Sequence, residues 1–289
     1  MLWMLGCMVL AGLTACSGSD DEPSKADDGV KVRRLTITET DGSTRASLVE
    51  GDGILNASWT AGDGLTYCNL SRTNPMNYNI YSGGLTAAST ATTSQFTGDV
   101  YCLDGDYLAV VYPATTFEYN DRYTISLTGQ DGTLGTLATN YHYVFGKAHV
   151  TAVTDKTADA TMPKMKSLLT VCKFSFVDKA NAIPIQTLEI SYSTGDANNG
   201  KYPQSATVAI GVNTAQDDVH ATGADITAPL TITASGQTEV YVALLPTAAQ
   251  RTFNFTVSDG NGGTYTGTAK ATLVEGEYVA ATGLKLTKQ

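Results

Sequence analysis

Apolar and polar residues alternate with a period of two along most of this chain, and a helical period of 3.6 is almost absent. Such alternation is typical of β-strands that bury one face. Strands are predicted where apolar residues alternate: Tyr123, Ile125 and Leu127; Leu188, Ile190 and Tyr192; Val208, Ile210 and Val212; Val240 and Val242; Phe253, Phe255 and Val257; Leu284 and Leu286. The pattern predicts an all-β protein.

Turn sequences separate these predicted strands. The segment S-D-G-N-G-G at 258–263 predicts a hairpin turn before a return strand that opens at Tyr265. Asp259 to Gly263 is weakly similar to a calcium loop, but it lacks the spaced acidic ligands and the closing Glu. The continuous apolar run from Leu108 to Tyr112 is a further strand candidate.

The first 15 residues form an apolar run that ends directly before Cys16. This run is shorter than the roughly 20 residues of a spanning helix, and it has the length of a signal-peptide core. We predict a signal peptide at 1–15, acylation of Cys16 after cleavage, and a flexible tether at 16–29. The alternative is a buried segment of a globular domain, although residues 17–28 are too polar to continue a core element.

Acyl chains on Cys16 would hold the protein at a membrane, because each buried CH₂ contributes about 0.8 kcal/mol. The acidic run Asp20–Glu22 is similar to the signal that sends lipoproteins to the outer surface in some gram-negative anaerobes. An ordinary solvated tether would carry the same residues. We expect the chain on the cell outer membrane, exposed at the surface.

Composition excludes some partners. The chain has 289 residues and a net charge of −10, which disfavours nucleic acid and anionic lipid. Its cysteines do not form a disulfide framework. Cys172 alternates with Phe174 and Phe176, which predicts an inert core thiol, whereas a Cys68–Cys102 bridge is left open by the sequence.

The stretch Thr151 to Pro163 is polar, rich in small residues and without a clear period. We therefore predict an N-terminal β-sandwich at 30–155 and a C-terminal β-sandwich at 156–289, each with about seven strands. No internal repeat is apparent in the sequence.

No motif indicates an enzyme. The three histidines show neither H-E-x-x-H nor Cys/His metal spacing, and no G-x-S-x-G elbow is present. Tyr141-His142-Tyr143 is interpreted as a strand face. The tyrosine-bearing segment from Asn74 to Tyr81 is either an adhesive or sugar-stacking surface, or a long strand connection. We expect no catalytic residue, metal or cofactor.

Four phrases carry a resemblance to a known family. They are Ser43–Leu48 with Trp59–Asp63, Tyr107–Pro113, Lys166–Phe176 and Leu273–Tyr278. Together with the cysteine after the signal sequence, they resemble the fimbrillin family, the lipoprotein pilins of gram-negative anaerobes. The histidine that the family often carries before the third phrase is replaced here by Lys164-Met165.

The resemblance implies two β-sandwich domains of transthyretin-like topology and assembly into surface fimbriae. Its partners would be other fimbrial subunits, joined by strand donation, and a receptor on a host or bacterial surface. In polymerising members, a protease cuts after an arginine beyond the first strand, and a neighbour's strand replaces the released one.

The parts for this exchange can be placed on the sequence. Residues 31–40 predict a strand, with Val32 on one face and Leu35 and Ile37 on the other side of a phase break. Arg45 follows in a stretch of small polar residues, where proteases cut readily; it is the cleavage candidate, and an ordinary loop arginine is the alternative. Arg33 and Arg34 are weaker candidates because they fall inside the predicted strand.

The last predicted strand, Leu284 to Thr287, is followed only by Lys288-Gln289. We expect a subunit that accepts a strand without donating one, as a tip or accessory subunit; an uncut, lipid-held anchor is a further option.

The alternative from another class is a surface glycan-binding lipoprotein of a polysaccharide-uptake system. Such a protein is expected to expose clustered tryptophans, and the mature chain keeps only Trp59. A hydrolase with a cryptic site is the third hypothesis.

Overall fold

The structure is a computed structural model, and it describes residues 31–39, 47–51, 54–72, 81–118, 121–193 and 195–289. Of these residues, 59% lie in strands and 4% in helices, so the all-β prediction is confirmed. In the described part, no helix has both the length and the apolar character needed to cross a bilayer. The predicted signal peptide and tether, with Cys16, and the candidate Arg45 lie outside the described residues.

The described residues of the first half contain twelve strands and one helix. They are β1 Lys31–Glu39, β2 Ser47–Gly51, β3 Ile54–Ser58, β4 Gly64–Asn69, β5 Ser82–Ala87, β6 Gln95–Cys102, β7 Tyr107–Tyr112, β8 Phe117–Glu118, β9 Arg122–Ser126, α1 Leu134–Asn140, β10 Val144–Val153, β11 Thr157–Met162 and β12 Lys166–Ser167. Helix α1 begins after Thr133, whose hydroxyl accepts a hydrogen bond from the N–H of Thr136 at 3.2 Å.

The described residues of the second half contain eleven strands and a 3-10 helix. They are β13 Thr170–Asp178, β14 Asn181–Ala182, β15 Ile185–Tyr192, β16 Ser205–Ala209, the 3-10 helix Gln216–Asp218, β17 Ala221–Ala224, β18 Leu230–Gln237, β19 Glu239–Leu244, β20 Arg251–Ser258, β21 Thr264–Ala271, β22 Tyr278–Lys285 and β23 Thr287–Lys288.

In the first half, seven strands form a closed ring. They pair in the order β11-β1-β6-β5-β4-β7-β10, and β10 pairs again with β11. The interior of the ring holds alternate residues of these strands, together with the buried Trp59. Gly98 permits the close approach of β5 and β6, because a Cβ there would lie 2.4 Å from the carbonyl oxygen of Gly84.

The second half repeats the strand order of the first. Strands β1, β4, β5, β6, β7, β10 and β11 correspond in sequence to β13, β15, β18, β19, β20, β21 and β22. In both halves the fourth, first and seventh strands are neighbours, and so are the third, second, fifth and sixth. The first and seventh strands are parallel in each half. The chain therefore contains a repeat of topology that its sequence does not reveal.

Two junctions differ between the halves. The third and fourth strands of the first half, β5 and β6, are hydrogen-bonded, whereas their counterparts β18 and β19 are not paired with each other. The sixth and seventh strands of the first half, β10 and β11, are hydrogen-bonded. Their counterparts β21 and β22 are not paired with each other. Instead, the short strand β23 pairs with β21 at Tyr265 and Thr266.

Elements of both halves share a core. Strand β9 pairs with β16, and β8 and β17 complete this sheet. Cys68, Val111 and Phe145 belong to the same hydrophobic cluster as the core of the second half. The predicted domain junction at 155/156 lies in the turn between β10 and β11, and the division into two domains stays a prediction.

Three sequence expectations need correction. The stretch from Thr151 to Pro163 contains β11, which buries Ala158, Ala160 and Met162; alanine gives too weak a signal for this alternation to be noticed. The Tyr141-His142-Tyr143 segment lies between α1 and β10 and is not a strand face. In the β16 segment, the strand ends at Ala209, and Val212 is 38% exposed.

All three described cysteines are buried. Cys68 and Cys102 belong to different hydrophobic clusters, so they do not form the bridge that the sequence left open. Burial raises the pKa of Cys172 to about 12, and it packs with Phe174 and Phe176 as predicted. A thiol with so high a pKa is unreactive at neutral pH.

Candidate functional site

Strand β1 is the predicted first strand, and it lies between two partners. It pairs antiparallel with β6, from Lys31 opposite Cys102 to Thr38 opposite Gln95. On its other edge it pairs in parallel with β11, from Arg34 opposite Thr157 to Glu39 opposite Met162. Removal of β1 would therefore expose backbone groups on two strands at once.

The inward side chains of β1 fill the ring. Leu35 and Ile37 are fully buried, whereas Val32 is 46% exposed, and the strand alternates without a phase break. Full burial of such a side chain stabilises by about 1.5–3 kcal/mol. The two residues therefore make β1 a substantial part of the core of this half.

Polar residues fix both ends of β1. At the start, the buried Arg33 donates from Nε to the carbonyl oxygen of Thr154 at 2.7 Å and from a terminal nitrogen to the carbonyl oxygen of Cys102. At the end, the Nε1 of Trp59 donates to the buried Glu39 carboxylate at 3.2 Å. These bonds hold the strand in one register.

Trp59 is fully buried below the end of β1. Its ring makes edge contacts with Phe96 and Tyr112, with centroids 4.9 and 5.5 Å apart. It cannot serve as the exposed sugar platform that the glycan-binding hypothesis requires. Of the other aromatic candidate, the segment from Asn74 to Tyr81, only Tyr81 is described, and it is buried.

The weaker cleavage candidates Arg33 and Arg34 both lie inside β1, as predicted. Arg34 is exposed and lies 3.5 Å from the carboxylate of Asp99. A protease needs an extended, unpaired backbone, and both arginines belong to a strand that is paired on both edges. By position in the sequence, the candidate Arg45 falls between the end of β1 at Glu39 and the start of β2 at Ser47.

The hairpin β2–β3, which follows that position, is tied to the second half through Glu50. The Nζ of Lys173 on β13 donates to its carboxylate at 2.9 Å, and the hydroxyl of Tyr278 on β22 donates at 2.6 Å. The hydroxyl of Tyr241 on β19 donates as well, and Lys173 also lies 3.1 Å from Glu239. Glu50 thus joins the hairpin to three strands.

Electrostatics in this cluster favour the charged forms. Hydrogen bonds from Tyr241, Tyr278 and Lys173 lower the pKa of the Glu50 carboxyl to about 2. The same hydrogen bond to Glu50 raises the pKa of Lys173 above its usual value. The pair is therefore a stable ion pair at neutral pH, and no signal in the sequence brings these distant residues together.

The remaining candidate residues have structural partners. Asp259 accepts hydrogen bonds from the N–H groups of Asn261 and Gly263, each at 2.8 Å, in the turn between β20 and β21. This confirms the predicted hairpin. His149 stacks on Tyr107, and His220 lies 3.1 Å from Glu275. Within the described residues, no group of three or more His, Cys, Asp or Glu side chains could hold a metal ion.

Two solved structures share the fold. One is a candidate cell adhesion protein from Bacteroides uniformis, with a TM-score of 0.53, 17% identity, and coverage of 91% of this chain and 97% of that one. The other is a candidate cell adhesion protein from Bacteroides ovatus, with a TM-score of 0.53, 11% identity, and coverage of 90% and 96%. At such identities the likeness shows the fold alone. Neither a family model nor a curated protein matches the sequence.

Proposed function

We propose that this chain is a non-enzymatic subunit of a surface fimbrium, lipidated at Cys16 in its precursor and joined to a neighbouring subunit by strand exchange at β1. The observation that most supports this proposal is the position of β1. This strand is paired on both edges, and its side chains Leu35 and Ile37 fill the interior of the ring. A replacement strand restores both sets of hydrogen bonds and the core.

The position of Arg45 supports this proposal. A cut there separates β1 from the hairpin β2–β3, and Glu50 keeps the hairpin bound to β13, β19 and β22. Cleavage would therefore free the exchangeable strand while the rest of the molecule stays together.

The fold supports the proposal at a coarser level. In each half, one row of neighbouring strands has the order fourth, first, seventh, and the other row has the order third, second, fifth, sixth. This is the strand order expected of a β-sandwich with transthyretin-like topology. The solved structures with this fold are described as candidate cell adhesion proteins, and adhesion to a host or bacterial receptor is the outcome we propose for this chain. A tip or accessory position stays a prediction.

Proteolysis followed by peptide uptake tests the proposal. The full chain carrying Cys16→Ser, which cannot be lipidated, is treated with a trypsin-like protease and then mixed with a labelled peptide of residues 31–39. We expect a cut after Arg45, and peptide uptake only after that cut. Arg45→Gln should lose this cut, whereas Arg122→Gln, at an exposed arginine in β9, should be cut after Arg45 like the parent.

Matched peptides test whether the uptake reproduces β1. Replacement of Leu35 and Ile37 by Asp in the peptide should abolish uptake, because both side chains enter the core. Replacement of Thr36 and Thr38 by Asp should preserve it, because these residues face outward. If the cut chain stays folded by circular dichroism and takes up neither peptide, β1 is not exchangeable.

A further inference from the structure

An apolar cleft opens between β21 and β22, which belong to the two different sheets of the second half. Its volume is about 170 Å³. Among the residues that line it are Phe174, Phe255, Ala269, Ala271, Val279 and Ala281. An engineered apolar cavity of about 150 Å³ binds a molecule as large as benzene. The cleft therefore has room for apolar side chains of a second molecule.

The backbone edges of both flanking strands are unpaired along the cleft. Among the described residues, β22 pairs only with β13. Strand β21 pairs with β20, and on its other edge only Tyr265 and Thr266 pair with β23. A strand edge of this kind is a template for another extended chain. The corresponding edges in the first half are joined to each other.

The chain itself already uses this edge at one end of the cleft. Thr287 and Lys288 form β23 and pair with Thr266 and Tyr265. Beyond them, the edge from Gly267 to Ala271 lacks a strand, and its inner-face residues Ala269 and Ala271 are only partly buried. The part of the edge without a strand is the part that lines the cleft.

The charge at the cleft favours an acidic occupant. Lys270 is the only charged residue that lines it, and the described residues provide no hydrogen-bond or ion-pair partner for its side chain. The chain as a whole carries a net charge of −10. Lys270 lies on the outer face of β21, between the inner-face residues Ala269 and Ala271. An acidic residue on the outer, polar face of an adjacent strand would therefore pair with it.

We propose that this cleft accepts an extended segment of a second protein, in which apolar side chains of valine size alternate with polar residues and one of the polar residues, near one end, is acidic. A small apolar ligand would fill the volume but would leave both backbone edges unpaired. The site is separate from β1 and needs no cleavage at Arg45. Its failure would therefore leave the proposed function standing, and the reverse also holds.

The test uses the uncut full chain with Cys16→Ser and a synthetic peptide, acetyl-VEVTVTV-amide, in which the acidic residue shares the polar face with the threonines. Seven extended residues span about 23 Å at roughly 3.3 Å per residue, which matches the seven positions from Tyr278 to Leu284. We expect binding, together with new protection of amides in β21 and β22 from hydrogen exchange. A peptide with prolines in place of its threonines should not bind, because proline lacks the N–H donor.

Variants of the chain locate the site. Ala281→Trp fills the cleft and should abolish binding. Thr282→Trp places the same bulk at an exposed position next to it and should preserve binding. Lys270→Glu, an exposed change that leaves the core intact, should weaken binding of the acidic peptide about two- to fivefold, the range expected of an exposed ion pair.

Three outcomes would overturn the proposal. One is the absence of amide protection at saturating peptide. Another is equal binding to the Ala281→Trp and Thr282→Trp variants. The third is equal binding of the proline-substituted peptide, which would mean that backbone hydrogen bonds to the strand edges play no part.

Discussion

The two halves of the chain share one strand order, but the first closes into a ring and the second remains two separate sheets. One cause is the connection between the sixth and seventh strands. In the first half, β10 ends at Val153 and β11 begins at Thr157, and the N–H of Thr154 donates to the carbonyl oxygen of Thr157 at 2.8 Å. So tight a turn keeps the two strands side by side as a hairpin.

In the second half, the connection is longer and is bound elsewhere. Strand β21 ends at Ala271 and β22 begins at Tyr278. Between them, the backbone of Leu273 bonds to Thr247, and the N–H of Gly276 donates to the carbonyl oxygen of Leu169. The connection thus delivers β22 to β13 on the opposite sheet and leaves a gap beside β21. The comparison teaches that a few connecting residues decide whether the sixth and seventh strands pair.

The largest expected effect is in the closed half. Ile37→Ala should lower the free energy of unfolding by about 2–5 kcal/mol, because it leaves a cavity in a fully packed ring. Val279→Ala, at the half-buried wall of the gap, should cost only about 1 kcal/mol. Urea unfolding of both variants measures the difference. Equal losses would mean that the two junctions are packed alike.

The next effect concerns the close approach of β5 and β6. Gly98→Ala should destabilise by about 1–3 kcal/mol, because its Cβ would meet the backbone carbonyl of Gly84, which cannot move aside. Gly64→Ala is the matched control in the same ring, since no atom lies within 4 Å of a Cβ there. Thermal unfolding should separate the two variants, and similar midpoints would contradict a tightly closed ring.

A smaller effect is expected at the joint between the halves. The folded-state pKa of Glu50 is lowered from 4.5 to about 2, so its contribution is present above pH 4.5 and is lost as the pH falls toward 2. Since its side chain is 27% exposed, we expect a contribution of about 1 kcal/mol after solvent screening. Stability measured from pH 6 to pH 2 should decline more in the parent than in Glu50→Gln.

The matched control for this pH dependence is Glu118→Gln, at an exposed residue that accepts one hydrogen bond from Thr124. Its stability should follow that of the parent across the whole range. Identical curves for Glu50→Gln and the parent would show that the cluster does not hold the hairpin.

The smallest effect is expected on the outer face of β1. Asp99→Asn removes the partner of Arg34, but the two side chains are 60% and 70% exposed and 3.5 Å apart. The loss should be about 0.5 kcal/mol or less. A larger loss in urea unfolding would mean that β1 is held by its surface charges as well as by its core residues.

Sequence pattern predicted the strands that carry large alternating side chains. The buried series of β20, the continuous apolar run of β7 and the first strand with Leu35 and Ile37 are all found in the structure. The sequence pattern failed to predict β11, where Ala158 and Ala160 alternate with polar residues. A buried methyl group contributes too little apolar area to give a recognisable alternation. The helix α1 was also missed, since seven residues give only two turns of periodicity.

The contacts around Glu50 could not be predicted from the sequence. They join residues that are 123 and 228 positions apart in the chain. The sequence around each of these residues is that of an ordinary strand with a solvated face. The closed ring could not be predicted for the same reason, because pairing between β1 and β11 depends on the path of the chain and not on the local sequence pattern.

The mixed pairing of β1 has a directional consequence. One neighbour runs antiparallel to it and the other runs parallel, so only a strand with the same N-to-C orientation reproduces both ladders in their native registers. A row of subunits linked in this way would have every member facing the same end. Its two extremities would be chemically distinct.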